Sequence, residues 1–301
     1  MQAADGAVDD GRPTIAVILT CFNRKQKTVA CIDAVFAQTA FDDVALDFYI
    51  TDDSSHDGTA EALMRKYDRI RLLKGNGSLF WNGGMRLAWA DALRGEYDFF
   101  LWLNDDTFLY PQTLRRMLDT HAMSKRNSGK AGIVVGSTHD DTGQTSYGGE
   151  RQRSRLRPLT LARIDPEEAV QQCDTFNGNC VLISLQAAEV LGNLDPGFVH
   201  AMVDTDYGLR AKKAGIPMWV MPGYAGRCVN DGSVAGGFGD RSLPVTVRLK
   251  KILSPKGLPW RSWLVLCRRH AGYLWPVYWS WPYLKIVVTS CRFRTRKPTL
   301  Q

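Results

Sequence analysis

At 301 residues and 45% apolar content, the chain is long enough for one large α/β domain or two smaller ones, and too hydrophobic for disorder beyond its ends. The net charge of +7 conceals an asymmetry: residues 241–301 carry 13 Lys and Arg with no Asp or Glu, leaving 25 basic against 31 acidic residues before them. Seven scattered cysteines without a Cys-x-x-Cys spacing exclude a structural zinc site and read as reduced thiols of a cytosolic compartment.

Met1 to Arg12 is small and acidic, which excludes a secretory signal and predicts a flexible arm. Thr14–Thr20 is a β-branched apolar run, followed by a polar turn and a helical pattern over Lys25–Gln38. Leu46–Thr51 predicts a second strand ending at Asp52-Asp53, with turn residues Ser54–Gly58 leading into a helix over Thr59–Tyr67. A third strand, Ile70–Lys74, runs into a Gly-rich loop, Gly75–Gly84, and a helix over Gly84–Arg94. Tyr97–Leu103 is almost wholly apolar, as in a strand covered on both faces. A helix near Pro111–Ser124, a strand over Gly132–Ser137, a polar hairpin or mobile flap over His139–Gln172, and a strand over Cys180–Ile183 follow. Helices are predicted at Leu185–Leu191 and Tyr207–Ala214, the second stopped by Gly215 and Pro217. This alternation predicts a doubly wound, largely parallel α/β sheet whose ligands sit beyond the strand carboxyl ends.

Three acidic clusters stand at the ends of apolar runs: Asp52-Asp53, Asn104-Asp105-Asp106 and Asp204-Thr205-Asp206. Gathered at one sheet edge, like charges raise one another's pKa or bind a cation, and a divalent metal with a phosphate-bearing ligand satisfies them. Gly75-Asn76-Gly77 and Asn82-Gly83-Gly84 flank Ser78–Trp81, and glycines let backbone amides approach a diphosphate at a helix N-terminus. Each motif also has a plain structural reading. Asp52–Thr59 can be an Asx turn and helix cap, the glycines a simple turn, Trp81 a packing residue, and the third cluster a helix N-terminus dressed with acids.

Taken together, Thr20-Cys21-Phe22-Asn23-Arg24, Asp52–Thr59, Asn104-Asp105-Asp106, and Asp204-Thr205-Asp206-Tyr207 with Arg210 and Gly215 resemble glycosyltransferase family 2, inverting enzymes of the GT-A fold, over residues 14–232. The third motif is also similar to that of bacterial rhamnosyltransferases. The resemblance implies that Thr20, Cys21, Asn23, Asp52, Asp53, Gly77, Asn82, Gly83, Asn104 and Asp105 hold the nucleotide. It implies Asp106 as the ligand of Mg²⁺ or Mn²⁺, although the usual first Asp of that motif is Asn104 here. Asp204 falls at the catalytic-base position, with Asp206 two residues on orienting the acceptor, and Trp81, Asn177, Gly178 and Arg210 as sugar or acceptor contacts. Many relatives carry a metal-binding His some twenty residues further; Gly226–Asp231 has none, leaving Asn230, Asp231 or water for that place.

The expected function is transfer of a sugar from a UDP- or dTDP-sugar, such as dTDP-rhamnose, to a saccharide acceptor that is lipid-linked, in cell-surface polysaccharide synthesis. The expected organisation is an arm (1–12), a catalytic domain (13–240, its nucleotide half 13–137 and acceptor half 138–240) and a basic, aromatic helical tail (241–301). That tail holds five of the nine tryptophans. Basic residues interleaved with Trp and Tyr suit an anionic membrane surface, predicting a peripheral protein on the cytoplasmic face. Pro276, Pro282 and Lys285 interrupt its apolar run and argue against a span, and the Trp and Pro content favours lipid over nucleic acid. A sugar-nucleotide nucleotidyltransferase lacks support because Cys21–Lys27 contains no glycine-rich loop. A non-catalytic membrane adaptor leaves the acidic clusters without a use.

Overall fold

A computed structural model of the chain describes residues 12–41, 43–154, 157–229 and 237–294. Thr14–Cys21 (β1) is followed by α1 (Lys25–Phe36), β2 (Ala45–Asp52), α2 (Thr59–Lys66), β3 (Ile70–Lys74), α3 (Phe80–Ala92) and β4 (Phe99–Leu103). β1 lies between β2 and β4 and runs parallel to both, in a register that sets Cys21 opposite Asp52. β3 extends this half, parallel to β2. Alternate residues of β1 face opposite layers: Ile15, Val17 and Leu19 pack with Cys31, Ile32 and Val35 of α1, while Ala16 and Ile18 pack with Met85, Ala88 and Trp89 of α3. Covering both faces explains why these strands read as continuous apolar runs. It also leaves only their carboxyl ends free to carry polar chemistry.

β5 (Phe108–Leu109), α4 (Thr113–Ser128) and β6 (Ile133–His139) continue the chain, followed by the short strands β7 (Thr145–Tyr147), β8 (Gly149–Gln152), β9 (Leu161–Arg163), β10 (Gln171–Gln172) and β11 (Thr175–Phe176). β12 (Cys180–Ser184), α5 (Leu185–Leu191), α6 (Val203–Lys213) and β13 (Met218–Arg227) complete the sheet. The main order is β10-β13-β6-β12-β4-β1-β2-β3, with β12 antiparallel to both β4 and β6. The segment expected as a hairpin or flap contains a hairpin, β8 antiparallel to β9, which β11 extends into a second, three-stranded sheet with β8 in the middle, and it also gives β7 to the main sheet.

Two helices begin earlier than their residue types suggest. α3 starts at Phe80, so Asn82, Gly83 and Gly84 are helical and no second glycine loop exists. α6 starts at Val203, which puts Asp204 and Asp206 in its first turn. Both starts hold a non-glycine residue at positive φ, Phe80 at 54° and Met202 at 73°, a conformation that costs of order 1 kcal/mol or more and clusters at functional sites.

After residue 240 the chain folds back on the body. α7 (Val245–Ile252) and α8 (Trp260–His270) both pack on α9 (Trp275–Arg294). Leu266 is buried, Trp263 and Val265 pack against the core shared by α3 and α6, and Ser262 donates to the Gly197 carbonyl. Several aromatics expected at a membrane boundary are used internally: Trp263 Nε1 donates to Tyr278 O, Trp279 Nε1 to Trp260 O, and Tyr283 Oη to Leu258 O. Outward, Leu274, Val277, Trp281, Leu284 and Val288 recur every three or four residues and are all exposed. Among the described residues no helix is long and apolar enough to cross a membrane.

Candidate active site

The turns after β1 and β2 are stitched together from both sides. Thr20 Oγ1 donates to Thr51 O, and Thr51 Oγ1 donates to Gly84 O at 2.8 Å. Gly84 must be glycine, because a Cβ there would lie 2.0 Å from Thr20 Oγ1. Asn23, at φ 51°, accepts from His56 N and donates its own N–H to Ser55 Oγ, while Asp52 Oδ1 accepts from Ser55 N. Asn23 and Asp52 therefore brace these turns, and neither lines the cleft described below.

Asp53 gathers the glycine segment. Its Oδ1 accepts from Gly77 N at 2.7 Å, and its Oδ2 from Leu79 N at 2.9 Å and Phe80 N at 3.3 Å. A carboxylate on the leading amides of α3 is where the helix dipole favours it. Gly77, at φ 82°, stays in the cleft wall. Asn82 and Gly83 do not: Asn82 is 1% exposed and donates to Asp195 O and Phe198 O, and Gly83 faces Leu79 inside the helix. The expected nucleotide contacts at Asn82 and Gly83 are thus replaced by helix packing.

At the end of β4, Asn104 Oδ1 accepts from Trp81 Nε1 at 2.7 Å, which directs the indole edge into the cleft. Arg24 Nη1 bridges Asp105 Oδ1 at 3.1 Å and Asp106 Oδ2 at 2.7 Å. Burial pushes the Asp105 carboxyl up to about 6 against the pull of Arg24. Cys228, whose thiol burial pushes up to about 12, lies 3.6 Å from Asp106 Oδ1.

Asp204 accepts from Gly178 N at 3.0 Å through Oδ2 and from Thr205 N through Oδ1, and burial raises its pKa. Gly178 fits between the Trp81 ring and Asp204, where a Cβ would come within 2.8 Å of the indole. Asp206, one residue past Thr205, points the other way. It is fully buried and bound by Arg210 at 3.0 Å, Arg269 at 2.7 Å and His270 at 2.8 Å. Arg210 in turn donates to Leu191 O and lies over the Tyr207 ring. Neither Asp206 nor Arg210 reaches the cleft. Their expected acceptor contacts give way to a buried ion cluster that joins α6 to α8.

What the structure does assemble is one cleft of about 640 Å³. It is lined by Thr20, Cys21, Asp53 and Gly77 from the end of β1 and the turns after β2 and β3, by Trp81, Asn104, Asp105 and Asp106 from α3 and the turn after β4, and by Asn177, Gly178 and Asp204. The carboxylates come from the turns after β2 and β4 and from α6, the outermost two more than 150 residues apart in sequence. Residues 16–179 match the family model described as Glycosyl transferase family 2.

The chain belongs to glycosyltransferase family 2. Its α/β sheet, with the acidic motifs at the strand ends, is the GT-A fold. Among solved structures, the mannosyltransferase PcManGT from Pyrobaculum calidifontis, in complex with GDP-Man and Mn²⁺, superposes with a TM-score of 0.54, covering 95% of this chain and 77% of that one. At 16% identity this is a likeness of fold. No curated protein matches the chain.

The sequence assigns no role to several lining residues of this glycosyltransferase, Arg24, Tyr147, Asn179 and Lys256, and reads His200 only as a local packing or hydrogen-bonding residue. Arg24 had a signal, being the one cation of the motif after β1. Lys256 had none, since only the folding back of the C-terminal helices brings it there. His200 accepts from Trp81 N, and burial with Lys256 and Arg24 nearby pushes it down to about 4, so it stays neutral. Among the described residues no group of three or more His, Cys, Asp or Glu gathers to hold a metal ion. Asn230 and Asp231 lie outside the described residues. Asp106, with Asp105 beside it, fits as the protein's part of a hard-cation shell that phosphate oxygens and water complete.

Proposed function

We propose that this glycosyltransferase moves a sugar, with inversion, from a UDP- or dTDP-sugar, dTDP-rhamnose among the candidates, to a hydroxyl of a lipid-linked saccharide in cell-surface polysaccharide synthesis. The observation that carries the reading is the convergence of Asp53, Asp106 and Asp204 on one cleft. Thr20, Cys21 and Gly77 form the wall for the nucleoside, and Asp53 keeps the Gly77 backbone in place. Asp105 and Asp106 would hold Mg²⁺ or Mn²⁺, which when bound supplies charge stabilisation for the departing diphosphate. The acceptor oxygen attacks the anomeric carbon and its proton passes to Asp204. The bond from that carbon to the diphosphate oxygen breaks, and its electron pair leaves with the nucleotide. The two backbone donors on Asp204 fix its direction toward the cleft, and burial strengthens it as a base.

The test is Asp204→Asn, which should abolish transfer while leaving donor binding intact by calorimetry. Retained turnover would remove Asp204 from the base role. A donor panel of UDP-, dTDP- and GDP-sugars, the last prompted by the GDP-Man of the solved relative, identifies the nucleotide by thermal stabilisation. Release of pyrophosphate from a nucleoside triphosphate would favour the nucleotidyltransferase alternative. Donor binding without any transfer would favour a non-catalytic role.

The same reading puts the enzyme on the cytoplasmic face of a membrane. Its support is the exposed stripe of Leu274, just before α9, and Val277, Trp281, Leu284 and Val288 on it, together with the 13 basic residues and no acidic ones from residue 241 onward. Lys256 reaches the cleft from this same region, which would hold the acceptor opening near the headgroups.

A further inference from the structure

We propose that Glu150 is a positioning residue of the transfer reaction, a second carboxylate behind Asp204 whose charge sets how strong a base Asp204 is. The inference rests on the reading of Asp204 as the base.

Its ground is a row of three side chains across the small sheet. Glu150 stands directly opposite Thr175 of β11 on one side and Arg163 of β9 on the other. Residues directly opposite in antiparallel strands project from the same face. That face meets the first turn of α6: Thr175 Oγ1 donates to Thr205 O at 2.9 Å, and a Cβ on Gly208 would lie 2.4 Å from Thr175 Oγ1. Glu150 therefore points at the turn that carries Asp204. Among the described residues, its carboxylate makes no hydrogen bond and no ion pair, and it does not line the cleft. An unpaired, half-buried carboxylate next to a second one is costly in a purely structural role.

The charged groups around it are few. Arg163 faces it from β9 but has its guanidinium on Thr145 O. Its chain neighbour Arg151 turns to the opposite face and donates to Gln172 O, and Asp174 pairs with Lys212. Burial and then the Asp204 charge push the Glu150 carboxyl up to about 7, with Arg163 pulling down. Glu150 therefore ionises against the Asp204 charge. When Glu150 becomes negative, a proton on Asp204 is held more tightly, and Asp204 takes the acceptor proton more readily. Activity should therefore rise as pH passes upward through neutrality, with donor affinity unaffected.

The experiment compares the kcat–pH profiles of the parent, Glu150→Gln and Glu150→Asp, with donor affinity by calorimetry. Expected is a Glu150→Gln rate equal to the parent near pH 5.5 and roughly threefold or more below it at pH 8.5, with donor Kd unchanged and the gap narrowed in Glu150→Asp. Profiles of parent and Glu150→Gln that run parallel over this range overturn the proposal. A second readout needs no turnover: the ¹³C-carboxyl titration of Glu150 should drop by about one pH unit in Asp204→Asn. An unchanged midpoint overturns the coupling, whereas a parent that transfers no sugar while the midpoint moves refutes the transferase mechanism and leaves the carboxylate pair standing.

Discussion

Arg24 Nη1 donates to Asp106 Oδ2 at 2.7 Å, so the carboxylate proposed to bind a cation already holds one supplied by the protein. The same nitrogen reaches Asp105, whose carboxyl is buried. A metal at Asp106 and the guanidinium would compete for the same oxygens. Arg24→Met should therefore bind Mn²⁺ about tenfold more tightly in the absence of donor, as read by calorimetry. Equal affinities in the two proteins would mean that the cation site lies elsewhere. Chelation should abolish transfer in both, and added Mn²⁺ or Mg²⁺ should restore it.

Asp204 and Asp206 differ by two residues and by nearly everything else. Asp206 carries the charge that keeps Arg210, Arg269 and His270 together inside the protein. Removing one partner of a buried ion cluster is strongly destabilising, so Asp206→Asn should lose about 3 kcal/mol. For a chain of 301 residues that lowers the melting temperature by about 5 °C. Asp204→Asn removes a buried charge with only backbone donors, and should melt within a few degrees of the parent. Coincident melting curves for Asp206→Asn and the parent would refute the structural assignment of Asp206.

The contrast shows where the sequence was informative and where it fell silent. The strand–helix alternation through β4 and the carboxylates at the strand ends were legible because each depends on local pattern: a β-branched run, then polar residues. The orientation of Asp204 against Asp206 was not, because it depends on α6 beginning at Val203 behind a left-handed Met202, and on α8 returning to supply Arg269 and His270. Asn82-Gly83-Gly84 misled for a related reason. Glycines that permit a phosphate loop also permit a helix to press against Thr20, and the second use is the one made. The small sheet carrying Glu150 came from a polar stretch whose strands are two to four residues long, too short for any period to show.

The stripe on α9 makes the membrane reading testable without activity. Trp281 is 55% exposed and lies mid-stripe, apart from Trp279 and Tyr283, which bond α9 to the start of α8 and the turn before it. Trp281→Glu adds a negative charge and removes an interfacial anchor, so partitioning to vesicles containing anionic lipid should weaken about tenfold or more. Melting temperature should not change, since no described core residue depends on that ring. Undiminished flotation would assign the stripe to a protein partner, and raised salt should weaken the parent's binding through the basic residues alone.

His121 makes the fold's response to acid readable. It packs edge-on to Phe99, is 8% exposed, and its Nε2 has no hydrogen-bond partner among the described residues. Burial first, and then Lys125, push it down to about 4 from 6.5. Because the folded pKa is depressed, the unfolded chain binds more protons than the folded one between these values. The stability tied to a neutral His121 is complete above pH 6.5 and is lost progressively as pH falls toward 4. Asp105 and Glu150, raised to about 6 and about 7, act in the opposite sense, so the whole protein's acid profile is a sum of opposing slopes. A difference experiment isolates the histidine. His121→Phe keeps the aromatic packing without a titrating group, and its stability relative to the parent should improve by roughly 1 to 2 kcal/mol between pH 7.5 and pH 5 in urea unfolding. A gap that stays constant across that range would mean that His121 takes up its proton at the same pH in the folded and the unfolded chain, and that the space around Phe99 admits water.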